Sequence, residues 1–524
     1  MKNTLKKILS LCLVFALLLP AAAMTVSASE RVPIVCVWGE SDILVWREDG
    51  SSYAPTGEAA DEIMNAAIRP LIPVFLKAVL TDNYDEWSRQ ALELLTPIYD
   101  EIRPNPDGSL PANTGIGFSW SPETLADPES VNYYYVYTFD YRLSPLDAAD
   151  DLQAYIKAVE AKTGSDKVVL ASRCGSTSIG AAYLYKYGTA DLSKLIFVSS
   201  TLLGVPYANC VLSGHAIVPT DALYHFVGRK EPLAQFSERL NKFALAFLYA
   251  LNENGGGEDV TQLVDRLFGK VADSFVSPFL RSYYGIGANF VADVCDSYEE
   301  YREFIFPTDA LKQEYAAILA KTDEYHYNVQ EKLYELFSAA EADGVSVNVI
   351  AVYGEPSENV VGERSRLVGD SLTDAGYQAL GATVPAYPNT LDDDYIADRA
   401  AAGFGKYISA DRMIDASTCM FPDTTWFIKN IRHWFYENDL LSLMQAISWT
   451  DGMTVDTDPA FPQFLNARED HSALDPLQAT NPNDVHPDDY KPEMNGIMGF
   501  FARLLAFYLK LIARFSGFAA TLCG

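Results

Sequence analysis

The chain has 524 residues, 49% of them hydrophobic, 12% aromatic and 21% charged, which is too long for one small core and too apolar for a wholly disordered polymer. Its 39 basic residues against 70 acidic ones leave a net charge of −31. A phosphate backbone repels such a surface, so nucleic acid is not an expected partner.

Residues 1–28 read as a secretory leader. Lys2, Lys6 and Lys7 precede an apolar run from Ile8 to Ala23, and Val26-Ser27-Ala28 offers small residues for cleavage. Its removal makes the mature chain three charges more acidic and sends it out of the cell. Six cysteines remain: Cys36, Cys174, Cys210, Cys295, Cys419 and Cys523. Their wide, irregular spacing fits neither a zinc site nor a disulfide framework; if any two pair, Cys210 and Cys295 are the expected ones.

Short β-branched and aromatic runs alternate with helical stretches, the pattern of a mainly parallel sheet covered by helices, and therefore an α/β fold. Expected strands are Val32 to Trp38, Tyr133 to Tyr141, Lys167 to Ala171, Lys194 to Ser200 and Val345 to Tyr353. Residues 29–205 and 345–450 form the two halves of this core. Between them, residues 206–344 carry helical patterns such as Leu233 to Leu251 and Ala310 to Ala342. Gly255-Gly256-Gly257 marks a flexible break there. This insertion is too long for a loop and reads as a helical lid.

Residues 451–493 hold six prolines and many acidic groups, which predicts a poorly ordered or extended connector. Residues 494–524 then close the chain with an amphipathic helix from Ile497 to Phe515. Arg503, Lys510 and Arg514 share one stripe, large apolar residues cover the rest, and no acidic residue interrupts it. Three readings compete: a membrane-surface contact, docking on the protein's own body, or a span, against which the three cations count.

The segment with most chemical content is Lys167 to Ser176 followed by Thr177 to Lys186, a strand, a sharp turn and a helix. In α/β-hydrolases this junction is the nucleophile elbow G-x-S-x-G. Here Cys174 stands at the centre, with Ser172 and Ser176 at the flanking small-residue positions. A thiol at a helix N-terminus, beside Arg173, is favoured as thiolate and needs less activation than a hydroxyl. The main-chain N–H of Gly175 is the natural first oxyanion donor, and the loop after the first strand offers Glu40 or Ser41 for the second. The order nucleophile, acid, histidine excludes His215, His225 and His326. Of the later histidines, His433 follows an apolar run and precedes a helix, whereas His471 and His486 sit in the connector. Asp370 leads as the acid, with Asp393 and Asp415 as alternatives.

Phe139-Asp140-Tyr141-Arg142-Leu143-Ser144-Pro145 resembles the Y-D-W-R-x-S-P signature of the lecithin:cholesterol acyltransferase-like branch of α/β-hydrolases, and it precedes the elbow by the spacing such proteins show. Ser297-Tyr298-Glu299-Glu300-Tyr301, the Asp370 segment and the Trp426 to His433 segment follow in the same order. The resemblance spans roughly residues 31–450. It implies an α/β-hydrolase fold with a helical lid, and a lipase or acyltransferase acting on acyl or lipid esters without metal or organic cofactor. Cys174 then takes the nucleophile's role, Asp370 the acid's and His433 the base's. The family usually has serine at the position of Cys174. Asp140 and Arg142 are expected to brace the site as an ion pair. The alternatives of a different class are a non-catalytic surface protein binding an apolar ligand in the same cleft, and a scaffold that recruits another protein.

Overall fold

Apolar strands that are hydrophobic on both faces must be covered on both, and this requirement organises the computed structural model of the chain. The structure describes residues 31–40, 43–54, 58–117, 120–121, 125, 134–215, 217–229, 238–253, 256–283, 297–356, 368–370, 372–431, 433, 438–481 and 487–523. The leader, Ser41, Cys295 and His486 lie outside them, and so, through Cys295, does the expected Cys210–Cys295 pairing.

One sheet of eight strands forms the centre: β1 (Ile34–Glu40), β2 (Tyr134–Phe139), β3 (Val168–Arg173), β4 (Leu192–Val198), β5 (Ser346–Tyr353), β6 (Thr425–Lys429), β7 (Phe464–Ala467) and β8 (Leu474–Pro476). Their order across the sheet is β2-β1-β3-β4-β5-β6-β7-β8. All neighbours are parallel except the edge pair β7–β8. The fold is α/β. The five expected strands are present, with each boundary displaced by no more than two residues.

The connector reading needs correction, because residues 451–493 supply β7 and β8 and complete the sheet. Strands of four and three residues are too short to show a period of two, and Pro462 and Pro476 at their margins mimic a loop signature.

Alternate residues of each inner strand go to opposite layers. Val35, Val37, Val168 and Leu170 pack with α1 (Pro145–Thr163) and α2 (Thr177–Tyr187), while Ile34, Cys36, Val169 and Ala171 face the other cluster. Local sequence sets the helix ends. The Ser144 hydroxyl accepts the Leu146 N–H at 3.2 Å, Pro145 occupies the first turn, and Gly164 ends α1 at φ +74°.

Among the described residues, the insertion between β4 and β5 is wholly helical. It includes α3 (Thr220–Arg229), α4 (Glu238–Asn252) and α5 (Gly256–Val271). The expected glycine break is instead the start of α5, and Gly255 lies outside the described residues. A Cβ on Gly257 would fall 2.2 Å from Asn252 Oδ1 and 2.3 Å from Thr220 Oγ1, so this glycine serves a close approach of α3, α4 and α5. The second layer of the sheet is closed by α6 (Asn438–Trp449), through Leu440, Leu443, Met444 and Ile447. Last comes α7 (Gly496–Cys523), packed on α4 and α5. Among the described residues no helix is long and apolar enough to cross a membrane.

Candidate active site

Strand order fixes where a site can form. The chain leaves β1 toward β2 on one side and returns to β3 on the other, so the C-terminal ends of β1 and β3 form the switch point at which sites of such sheets are placed. The last β1–β3 pair is Val37–Ser172; beyond it the strands part. Cys174 follows β3 at this point, in a short 3₁₀ turn leading into α2.

Cys174 has φ +52°, a conformation that costs a side-chain-bearing residue roughly 1–3 kcal/mol and persists only when its surroundings enforce it. The enforcing contacts converge on its own carbonyl. That oxygen accepts the Thr177 N–H, the Thr177 hydroxyl at 2.6 Å and the Thr201 hydroxyl at 3.2 Å. Ser176 stabilises the other limb. Its Oγ donates to Val37 O at 2.5 Å and accepts from the Arg173 N–H at 3.0 Å, tying the turn to β1 just where the ladder ends. The second flanking position, Ser172, meets Gly180 of α2. A Cβ on Gly180 would lie 2.8 Å from Ser172 Oγ, so the glycine that permits close strand-to-helix contact sits on the helix rather than in the turn. Arg173 lies over the Trp38 ring of β1 at 5.9 Å.

The other two residues come from the C-terminal ends of β5 and β6. After β5, a two-stranded ribbon pairs Glu355–Pro356 with Val368–Gly369 and delivers Asp370. Its Oδ1 accepts the N–H groups of Leu372 at 3.0 Å and Thr373 at 2.8 Å, plus the Thr373 hydroxyl at 3.0 Å. Gln378 locks this loop to the sheet. It accepts the Val352 N–H at 2.7 Å and donates to Thr373 Oγ1 at 2.8 Å.

The remaining carboxylate oxygen, Asp370 Oδ2, faces His433 Nδ1 at 2.6 Å, and both side chains are fully buried. The His433 N–H also donates to Asp370 O at 2.9 Å. Burial alone would push the imidazole's pKa down. The Asp370 carboxylate, the Cys174 sulfur and a hydrogen bond to each outweigh it and hold the pKa up at about 10. Asp370 thus faces one nitrogen of the ring, and the Cys174 sulfur adds to the upward pull on the same imidazole.

The structure thus pairs His433 with Asp370, and the Cys174 sulfur is among the groups that raise the imidazole's pKa. Of the alternative acids, Asp415 is engaged by Arg399 at 2.8 Å and by the Tyr395 hydroxyl, and Asp393 by Arg412 at 2.6 Å. Gly175 is buried at the start of the turn. Glu40 ends β1 opposite Phe139, at the same C-terminal end of the sheet from which Cys174 follows β3. Asp140 and Arg142 form a buried ion pair at 2.6 Å, and Arg142 also donates to Ile102 O and Thr114 Oγ1. His471 lies in the loop between β7 and β8. Among the described residues no group of three or more His, Cys, Asp and Glu is arranged to hold a metal ion.

Thr177, Thr201, Thr373 and Gln378 escaped the sequence reading. Only Thr373 left a local trace, an aspartate three residues before it whose side chain can accept its N–H. No protein-family model matches the chain, and no curated protein matches it either.

Proposed function

We propose that the chain is an exported, lidded α/β-hydrolase-fold enzyme that hydrolyses or transfers the acyl group of an ester, lipid esters included, through Cys174, His433 and Asp370. The observation that carries this reading is the fully buried Asp370–His433 pair at 2.6 Å, whose imidazole pKa is raised by that carboxylate and by the Cys174 sulfur. The strand order supports it as well. The sulfur follows β3, the acid β5 and the histidine β6, the order nucleophile, acid, histidine kept by α/β-hydrolases. The insertion touches the same loop, since α3 packs against Glu355–Pro356.

In this mechanism Cys174 passes its proton to the imidazole that Asp370 orients. The sulfur attacks the acyl carbonyl carbon, and the C=O electron pair moves onto oxygen. Gly175 N–H and a main-chain N–H at or just after Glu40 stabilise that oxyanion. Collapse re-forms C=O and breaks the ester C–O bond, and the leaving alkoxide takes the His433 proton. The neutral imidazole then deprotonates water or an acceptor alcohol, which attacks the thioester. Expulsion of the thiolate releases the acid or new ester, and the proton rests again on His433. No metal or organic cofactor enters any step.

The test is hydrolysis of short- and long-chain p-nitrophenyl esters. Cys174→Ala is expected to lose all turnover, and Cys174→Ser to keep a fraction. Equal rates in the three proteins would remove the mechanism and leave the non-catalytic ligand-binding reading. Thiol labelling checks it independently. Burial holds the Cys36 and Cys419 thiols well above their ordinary pKa, so iodoacetamide is expected to modify Cys174 before either.

A further inference from the structure

Surface helices of acidic proteins normally turn their large apolar residues inward, and α7 does the reverse. Ala502, Ala506 and Ala513 are buried against α4 and α5, whereas Ile497, Phe500 and Phe507 are 79%, 62% and 59% exposed, and Leu504, Leu505 and Tyr508 are exposed beside them. The cations of the helix are spent on the body. Lys510 donates to the last carbonyls of α4, at Ala250 O 2.8 Å and Glu253 O 2.9 Å, Arg514 pairs with Asp259 at 2.7 Å, and Arg503 faces Glu253 at 3.7 Å.

We propose that this outward face of α7 docks on an uncharged lipid surface, zwitterionic or neutral. The charges select that occupant. An anionic membrane needs free cations, and here the three cations of the helix are directed at Glu253, Asp259 and the end of α4. A second copy would bring another body of net charge −31 into the contact. A neutral interface meets neither obstacle, and phenylalanine, leucine and tyrosine suit its boundary layer. The helix lies on such a surface rather than through it. On the acyl-ester reading the docking is also productive, because α7 rests on α4 and α5, and their neighbour α3 touches the ribbon that delivers Asp370.

Flotation of the full chain with phosphatidylcholine vesicles tests the proposal. The protein is expected to float with them, to float equally in low and high salt, and to float less as phosphatidylglycerol is added. The double variant Phe500→Asp/Leu504→Asp is expected to bind at least about tenfold more weakly, and Phe500→Ser/Leu504→Ser to weaken in the same direction, with circular dichroism reporting the fold. Absence of flotation, or binding that salt abolishes, overturns the proposal. So does a lipid-free dimer in sedimentation that the same variants dissolve. Cys174→Ala is expected to float like the wild type, so failure of the acyl chemistry and failure of the docking are read separately.

Discussion

The C-terminal edge of the sheet and the outer face of α7 break the rule of apolar inside and polar outside in opposite directions. At the sheet edge, Asp370, His433, Asp140 and Arg142 are buried charges or polar groups, and each is held by several partners. On α7, large apolar side chains stand in water, and the ring contacts seen among them are those of Phe500 with Phe501 and Phe507 with Tyr508. The first inversion is costly unless fully satisfied, so its removal should be felt in folding and chemistry alike. The second costs folding little, because a side chain left mostly in water loses little buried area when it is cut back. The first set is fixed by partners inside the molecule; the second is left facing solvent.

Perturbing each region in turn tests that contrast. The largest effect is expected at Asp370→Asn, which keeps the shape but cannot hold the imidazolium. kcat/KM on a soluble ester should fall by about 10³ to 10⁴. A loss below tenfold would show that the acid is ornamental. Next comes Arg142→Ala, which strands the Asp140 charge 8% exposed. Urea unfolding should report a loss of about 3–5 kcal/mol.

The third effect is one of pH. His433 in the folded chain holds its proton to about pH 10, above the ordinary 6.5. The stabilisation it supplies is therefore complete below 6.5 and is lost as pH rises through 10. The difference in unfolding free energy between wild type and His433→Gln should shrink across that interval; a difference that grows would reverse the assignment. The smallest effect belongs to α7. Phe500→Ser should change stability by no more than about 0.5 kcal/mol, and a larger loss would mean that the face is already covered in the native protein.

Much of the central sheet was legible because the inner strands β1, β3, β4 and β5 are largely buried on both faces, which writes continuous apolar runs into the sequence, while the edge strand β2 still alternates buried Tyr135, Tyr137 and Phe139 with more exposed residues. The opposite edge was not. β7 and β8 are short and bounded by prolines, and they gain their place from β6, a neighbour about 40 residues earlier in the chain. The same division holds at the site. Cys174 announces itself by the strand, turn and helix around it, and His433 by its position after an apolar run. Asp370 was separable from Asp393 and Asp415 only once Arg412 and Arg399 were seen to engage the other two. Gln378 and Thr201 act on groups 26 and 27 residues away, and no local pattern records such partners. The amphipathicity of α7 was plain in sequence, but its orientation was not. That depends on whether small or large residues fit the groove between α4 and α5.

The backbone twist at Cys174 also limits what this position can become. A left-handed residue tolerates an unbranched side chain far better than one that forks at its first carbon, so threonine is shut out and serine is the natural hydroxyl substitute. In genetic terms the chain stands one base change, and one exchange of sulfur for oxygen, from its hydroxyl counterpart.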